Sequence, residues 1–575
     1  MRTLLTTLHS KFIHPSLALP CLAAYCGAEC GDLEIREFTI HEPKESVLAA
    51  LLAEQPDVIA FSVYLWNRRE TLELVDALSV ARPQLRLVLG GPEVSFAGPE
   101  LFDQHPGLTA LVRGEGELPL RQLLRAWQMN LAPGDIPRLL HRTGGSLVEG
   151  PDGPLLDPLD TLPSPFALGL VDQNRGFVYL ETSRGCPYSC AFCMSALDSR
   201  VRSFSMERIH SDLSLLMERE VPKIKLVDRT FNYDAARARN IFQYILEHNR
   251  RSHFHFEIGA HLLDEATLRL LETVPEGMFQ FEIGVQSTLP ATLAAIGRKA
   301  PLDALAENVR RLRRKGNIHL HLDLITGLPG EGYADVLASI DRVATLAPHH
   351  LQIEPVKLLP GAPLRRQAAE RGIRFDPNPP YTVLATPDLS FDQLEQLRGI
   401  SRLCDLICNS GRFSGFLGGL TDRCGNLSAG LEKIEAFWRQ AQLFRNPLSQ
   451  RGVFEHIADF VQKEFTGEPR DELRDLLARD FAHSERVVPG SAPVFFDTDL
   501  SNQEQARIRQ LAREEQDAIK GQGIKLQHFA AAFRYLPGST ERSVRIFLYL
   551  TETGKGMQVK ELPLPADKSL SPPLG

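Results

Sequence analysis

At 575 residues, with 43% hydrophobic and 24% charged content, the chain is too long for one core and suits about three or four domains. A formal net charge of −8, with no long Lys/Arg run, excludes the electrostatic footprint of a nucleic-acid binder. Stretches of about 18 apolar residues are absent, so no membrane span is expected.

The opening MRTLLTTLHSKFIHPSLALP has no apolar region ending in a small-residue cleavage site, so no secretory signal is expected. Nine cysteines, an odd number in a large chain, argue for reduced thiols and metal ligation and for a cytoplasmic setting.

In chain order, residues 3–8, 34–39, 58–63, 86–89 and 110–112 read as strands, with helical patterns around 16–28, 44–54, 67–80 and 116–128. This alternation predicts a doubly wound, Rossmann-like parallel sheet over 1–135. Its ligand loops, beyond the strands' carboxyl ends, are 9–15, 62–67, 90–94 and 114–117. Residues 136–170, rich in Pro, Gly and Asp, read as a linker with one hairpin.

The alternation resumes with strands near 177–183, 223–228, 254–258, 279–285, 318–326 and 350–357. That is six βα units, a partial or full α/β barrel over 171–370. Residues 391–409, 427–444 and 450–482 read as helix, making 371–560 a mainly helical C-terminal domain, with a disordered tail at 561–575.

The strongest local signal is Thr182-Ser183-Arg184-Gly185-Cys186-Pro187-Tyr188-Ser189-Cys190-Ala191-Phe192-Cys193, just after an apolar strand. Thiolates spaced C-x3-C-x2-C can ligate three irons of a cubane cluster from one loop and leave the fourth iron open. A zinc knuckle would need a fourth ligand, and no Cys or His stands close by.

These residues resemble the signature of the radical S-adenosylmethionine (SAM) superfamily, with the aromatic Phe192 just before the third cysteine. The resemblance implies a [4Fe–4S] cluster on Cys186, Cys190 and Cys193, SAM on the open iron, and reductive cleavage of SAM to a 5′-deoxyadenosyl radical. It makes Asp228 the candidate for SAM's amino group. Glu257, Glu282, Gln286 and Asp323, at or near strand ends, are the candidates for its ribose and carboxylate. The alternative for each carboxylate is a salt-bridge partner. Lys357 is open between contacting SAM and closing the barrel.

A doubly wound domain ahead of such a barrel resembles the cobalamin (B12)-binding architecture of B12-dependent radical SAM enzymes, in a subgroup with an uncharacterised C-terminal domain. By that resemblance Ser62, Gly90, Gly91, Gly114 and Glu115 line the cobalamin crevice. Glycine allows close backbone approach there. The Asp-x-His-x-x-Gly motif that brings a histidine to cobalt is absent, and His9 and His14 are open between facing the corrin and, the favoured reading, hydrogen-bonded structural roles. Cys404, Cys408 and Cys424, the last after a Gly-rich turn at 415–419, are open between an auxiliary cluster and core packing. The loop at 409–413 is open between lining a channel and capping a helix.

The implied activity is methyl transfer to an unactivated carbon of a small-molecule or peptide substrate, with a one-electron donor such as flavodoxin or ferredoxin. Cobalamin-assisted radical cyclisation or oxidoreduction is the alternative within the class, and a non-catalytic iron–sulfur regulatory protein the alternative outside it.

Overall fold

The computed structural model describes residues 1–12, 14–536, 541–552 and 554–565, without the side chain of Ala196. It divides into two compact units. The first comprises Met1–Ser339, Leu346–Pro348 and Glu354–Leu394, and the second Ile340–Thr345, His349–Ile353 and the chain from Glu395 onward.

The first unit opens with β1 (Arg2–His9), α1 (Ala18–Cys26), β2 (Asp32–Thr39), α2 (Lys44–Ala53), β3 (Val58–Ser62), α3 (Arg68–Ala81), β4 (Arg86–Gly90), α4 (Glu100–Gln104), β5 (Leu108–Val112) and α5 (Glu117–Gln128). Alternate strand residues point to opposite faces. Leu4, Ile59, Phe61, Leu87 and Leu89 meet Leu74 and Leu78 of α3 on one side, while Leu5, Val58, Ala60 and Val88 meet Leu120, Leu123 and Leu124 of α5 on the other. Burial on both faces is why these strands read as continuous apolar runs.

The sheet order is β2-β1-β3-β4-β5-β6-β7, in which β6 (Leu139–Thr143) and β7 (Ser146–Glu149) add antiparallel to the edge. The expected hairpin at 136–170 is thus part of the sheet, not of a free linker. Because β1 lies between β2 and β3, the chain reverses its winding there, and the crevice opens beyond the ends of β1 and β3.

The barrel follows: β8 (Val178–Leu180), β9 (Ser183–Arg184), β10 (Arg202–Ser203), α6 (Met206–Glu218), β11 (Lys223–Leu226), α7 (Ala235–His248), β12 (His253–Glu257), α8 (Glu265–Leu271), β13 (Phe279–Gln286), α9 (Pro290–Ala295), α10 (Leu302–Lys315), β14 (His319–Thr326), α11 (Tyr333–Ala344), β15 (His350–Pro355), α12 (Pro363–Gln367), β16 (Arg374–Phe375) and β17 (Val383–Ala385). Within the first unit its parallel strands run in the order β14-β13-β12-β11-β8. The outer face is apolar: Phe242 of α7 packs on Phe256, Phe279 and Phe281 at centroid separations of 5.1, 5.4 and 5.9 Å. Lys357 forms an antiparallel bridge with Thr382 and pairs with Glu354 at 3.5 Å.

The later chain contains α13 (Phe391–Leu403), a π-helical turn (Cys404–Cys408), α14 (Ser414–Cys424), α15 (Leu427–Gln440), α16 (Gln450–Glu464), α17 (Gly467–Ser484) and α18 (Asn502–Ala518). The Gly-rich turn expected at 415–419 is instead the start of α14. Asp480 of α17 accepts from the amides of Gly415 (3.2 Å) and Phe416 (2.8 Å), and a Cβ on Gly419 would meet Leu476 at 2.5 Å.

The mainly helical region also holds an antiparallel sheet of β18 (Ile524–Phe533), β19 (Ser543–Glu552) and β20 (Gln558–Pro563), packed on Ile508 of α18. The tail boundary expected at 561 falls inside β20, and residues 566–575 lie outside the described residues. Asn409 brackets β15, accepting from the Leu351 amide and donating to its carbonyl, at 2.8 and 2.9 Å. Among the described residues no helix is long and apolar enough to cross a membrane.

Candidate active site

The cysteine loop leaves β8 through Thr182 and the short strand β9. Gly185 has φ +89°, and a Cβ there would meet the Arg200 carbonyl at 2.3 Å, so the turn into Cys186 requires glycine. Backbone bonds hold the loop at three places: Cys186 to Asp198 (3.0 Å), Ala191 to Ile296 (2.8 Å) and Leu364 to Ala191 (2.7 Å). Cys186 and Cys190 are buried and Cys193 is half-buried. Burial raises the Cys190 thiol's pKa, opposed by Arg298, whose Nη1 lies 3.7 Å from the sulfur.

Among the described residues no three Cys, His, Asp or Glu side chains converge as on one metal ion. Cubane ligands need no such convergence, since each thiolate holds a different iron.

Asp228 lies beneath this turn, fully buried. Its carboxylate accepts from the Thr182 amide (3.1 Å), the Thr182 hydroxyl (2.6 Å) and the Ser183 hydroxyl. Both oxygens therefore accept from the turn that leads into Cys186, which they brace.

The other four candidates share the barrel's polar inner face. Glu257 stands opposite Glu282, Glu282 opposite His321, and Asp323 opposite Gly284. Burial pushes the Glu257 carboxyl up to about 7. It also raises Asp323 well above the usual carboxylate range, with Glu282 and Glu257 adding repulsion. Glu282 is lowered by His255, 3.1 Å away. Buried Asp323 Oδ1 and Gln286 Oε1 have no hydrogen-bond partner among the described residues, and such orphaned acceptors suit a ligand that donates to them.

In the N-terminal crevice, Gly91 has φ +103°, and a Cβ on it would meet the Val63 carbonyl at 2.6 Å. Gly90 is under no such constraint, a Cβ there making only an ordinary 3.6 Å contact with Val112. Ser62 is buried and its carbonyl accepts from Thr7 Oγ1 at 2.7 Å. Gly114, at φ +72°, donates to Ser95 Oγ at 3.0 Å.

Glu115 accepts from Arg202 at 2.5 Å and from the Leu156 amide at 3.1 Å. His9 lies 3.6 Å from Glu37, and His14 bonds Tyr179 at 3.1 Å while meeting Phe177 edge-on. His14 is thus hydrogen-bonded within the protein, whereas His9 Nε2 has no hydrogen-bond partner among the described residues.

Sequence reasoning missed three exposed aromatics on the crevice loops, Phe12, Trp66 and Phe96. Trp66 stacks on Tyr64 at 4.5 Å and donates to the Leu8 carbonyl at 3.1 Å. Exposed rings just past apolar strands were the available signal, and they fit a large, partly apolar ligand.

Cys404 is buried beside Cys408, whose thiol raises its pKa, and Cys424 is half-buried. Cys21, Cys26 and Cys30 are buried.

Three known families match, in order: the B12 binding domain over residues 4–124, the radical SAM superfamily over 180–343, and a protein family of unknown function, DUF4080, over 369–531. The chain is 28% identical over 368 residues to the cobalamin-dependent radical SAM methyltransferase TokK of Streptomyces tokunonensis, covering 60% of this chain and 53% of the relative. It is 29% identical over 360 residues to the 2-(S-pantetheinyl)-carbapenam-3-carboxylate methyltransferase of Streptantibioticus cattleyicolor, covering 58% and 52%. The chain thus spans about half the length of these curated relatives. In fold it resembles the cobalamin-dependent radical enzyme OxsB solved with aqua-cobalamin and SAM, with a TM-score of 0.57 and 17% identity over 91% of this chain and 81% of that one.

Proposed function

We propose, for a chain that belongs to the radical SAM proteins with an N-terminal B12-binding domain, that it cleaves SAM reductively and transfers a methyl group to an unactivated carbon. Cys186, Cys190 and Cys193 would hold the [4Fe–4S] cluster, Glu257, Gln286 and Asp323 would face SAM, and the loops carrying Ser62, Gly91 and Gly114 would receive cobalamin. When bound, the cluster and SAM supply one-electron radical chemistry and cobalamin carries the methyl group.

The protein's own groups do the positioning. Asp228 sets the turn into the cysteine loop through Thr182 and Ser183. Arg298 places positive charge beside the Cys190 sulfur, which favours its thiolate. Asp323, its carboxyl pKa raised by burial, offers a protonated acid or a carboxylate as its ligand demands. A radical SAM protein takes its electron from a separate donor, for which a flavodoxin or ferredoxin is the class proposed, and the substrate is a small molecule or peptide.

The observation that carries this reading is the cysteine loop at the mouth of a parallel barrel whose preceding domain is of the B12-binding type. Two relatives named as methyltransferases support methyl transfer over cyclisation. The test is an anaerobic incubation of the loaded protein with SAM and a chemical reductant. Both 5′-deoxyadenosine and S-adenosylhomocysteine are expected. The first alone would remove the methyl-transfer part, and the absence of both would remove the proposal.

A further inference from the structure

The barrel's inner face is electrically divided along its strands. Register places Lys225, His255, Gln280 and His319 in one transverse row, and Glu257, Glu282 and His321 in the next row toward the strands' carboxyl ends. Asp323 lies one row further, opposite Gly284. Adjacent rows on one face are two residues, about 7 Å, apart. The upper rows are therefore rich in carboxylates and the lower row in nitrogen bases, with Lys223 below them opposite His253.

These side chains alternate with Ile224, Phe254, Phe256, Phe281 and Leu322, which are wholly or almost wholly buried, so the polar set faces inward. The interior is open, since Glu282 keeps 34% of its side-chain surface exposed.

The two lysines are the unbalanced charges. Lys223 Nζ donates to the neutral Gln280 Oε1 at 3.1 Å, and Lys225 Nζ sits 4.4 Å from the centre of the Phe177 ring. In the nearest acid row Glu282 lies 3.1 Å from His255 Nε2. Burial lowers the pKa of both lysines, and on Lys225 the neighbouring Lys223 adds to the lowering while Glu282 opposes it. A half-buried ammonium with no counter-ion is costly unless an anion joins it.

We propose that the lower inner face, through Lys223 and Lys225, binds an anionic group of the substrate, a carboxylate or a phosphate, leaving the substrate's other end toward the carboxylate rows. This deepens the proposed function and rests on it for the word substrate; the anion site itself stands on the lysines.

The test follows inorganic phosphate by 31P line width and acetate by 13C line width, on the protein with and without its cofactors. Wild type is expected to bind at least one probe saturably, and the tighter one identifies the class. Lys223→Met/Lys225→Met should weaken that probe by at least about tenfold, and Lys223→Arg/Lys225→Arg should restore it. Circular dichroism of each variant shows that it is folded. No saturation by wild type, or equal binding by the Met variant, overturns the inference. Cluster and cobalamin absorption on the same samples reports separately on the proposed function, so either can fail alone.

Discussion

Arg184, two residues ahead of Cys186, donates to Glu117 in the first turn of α5 at 2.7 Å. The same guanidinium reaches Glu181 at 2.9 Å and Glu115 at 3.6 Å, and the three carboxylates together strengthen its hold on its proton against the cost of burial. The cysteine loop and the loop ending the fifth parallel strand of the N-terminal sheet are thereby joined through one side chain.

Glu117→Ala leaves Arg184 buried with two of its three partners, and its side chain is only 12% exposed. Removing one member of a buried pair is strongly destabilising, so a loss of about 2–3 kcal/mol in urea unfolding is expected, together with weaker cobalamin retention. A loss below about 0.5 kcal/mol, the size of an ordinary surface change, would show that the brace is dispensable.

Glu331 predicts a pH dependence of stability. Burial pushes its carboxyl up to about 7 although Ser287 donates to it, and Oε2 has no partner among the described residues. A carboxyl whose folded pKa is raised imposes no penalty below its unfolded value of about 4.5 and the full penalty above about 7. Unfolding free energy should therefore fall between those limits by an amount on the order of 3 kcal/mol from this group. Glu331→Gln should flatten that fall, and an unchanged slope in the variant would contradict the assignment.

Asp323 separates binding from structure. Its buried oxygen makes no hydrogen bond among the described residues, so Asp323→Ala should leave thermal stability unchanged or raised while weakening SAM binding by calorimetry. About 1.5 kcal/mol or more, roughly tenfold, is expected for a lost hydrogen bond to a charged group. Destabilisation with unaltered SAM affinity would make Asp323 a structural residue.

Much of this was legible because its causes are local. Short apolar runs marked the doubly buried strands β1, β3, β4 and β5, and the resumed alternation of strand and helix marked the barrel strands His253–Glu257 and Phe279–Gln286. The cysteine spacing needed no fold at all. What escaped depended on partners distant in sequence. The 415–419 glycines read as a turn because their helix cap, Asp480, lies 65 positions away. The ion pair of Glu115 escaped because Arg202, 87 positions on, is invisible to a motif. Asp228 follows its strand and Asp323 lies within one, and only the geometry shows the first bonded to Thr182 and Ser183 and the second with an unpartnered oxygen.

The most direct measurement is the anaerobic absorption spectrum of the protein reconstituted with iron, sulfide and hydroxocobalamin and freed of unbound ligand. The account predicts stoichiometric cobalamin beside a broad iron–sulfur band in wild type, with the band abolished and the cobalamin kept in Cys186→Ala. A Cys186→Ala spectrum that retains the iron–sulfur band would contradict it.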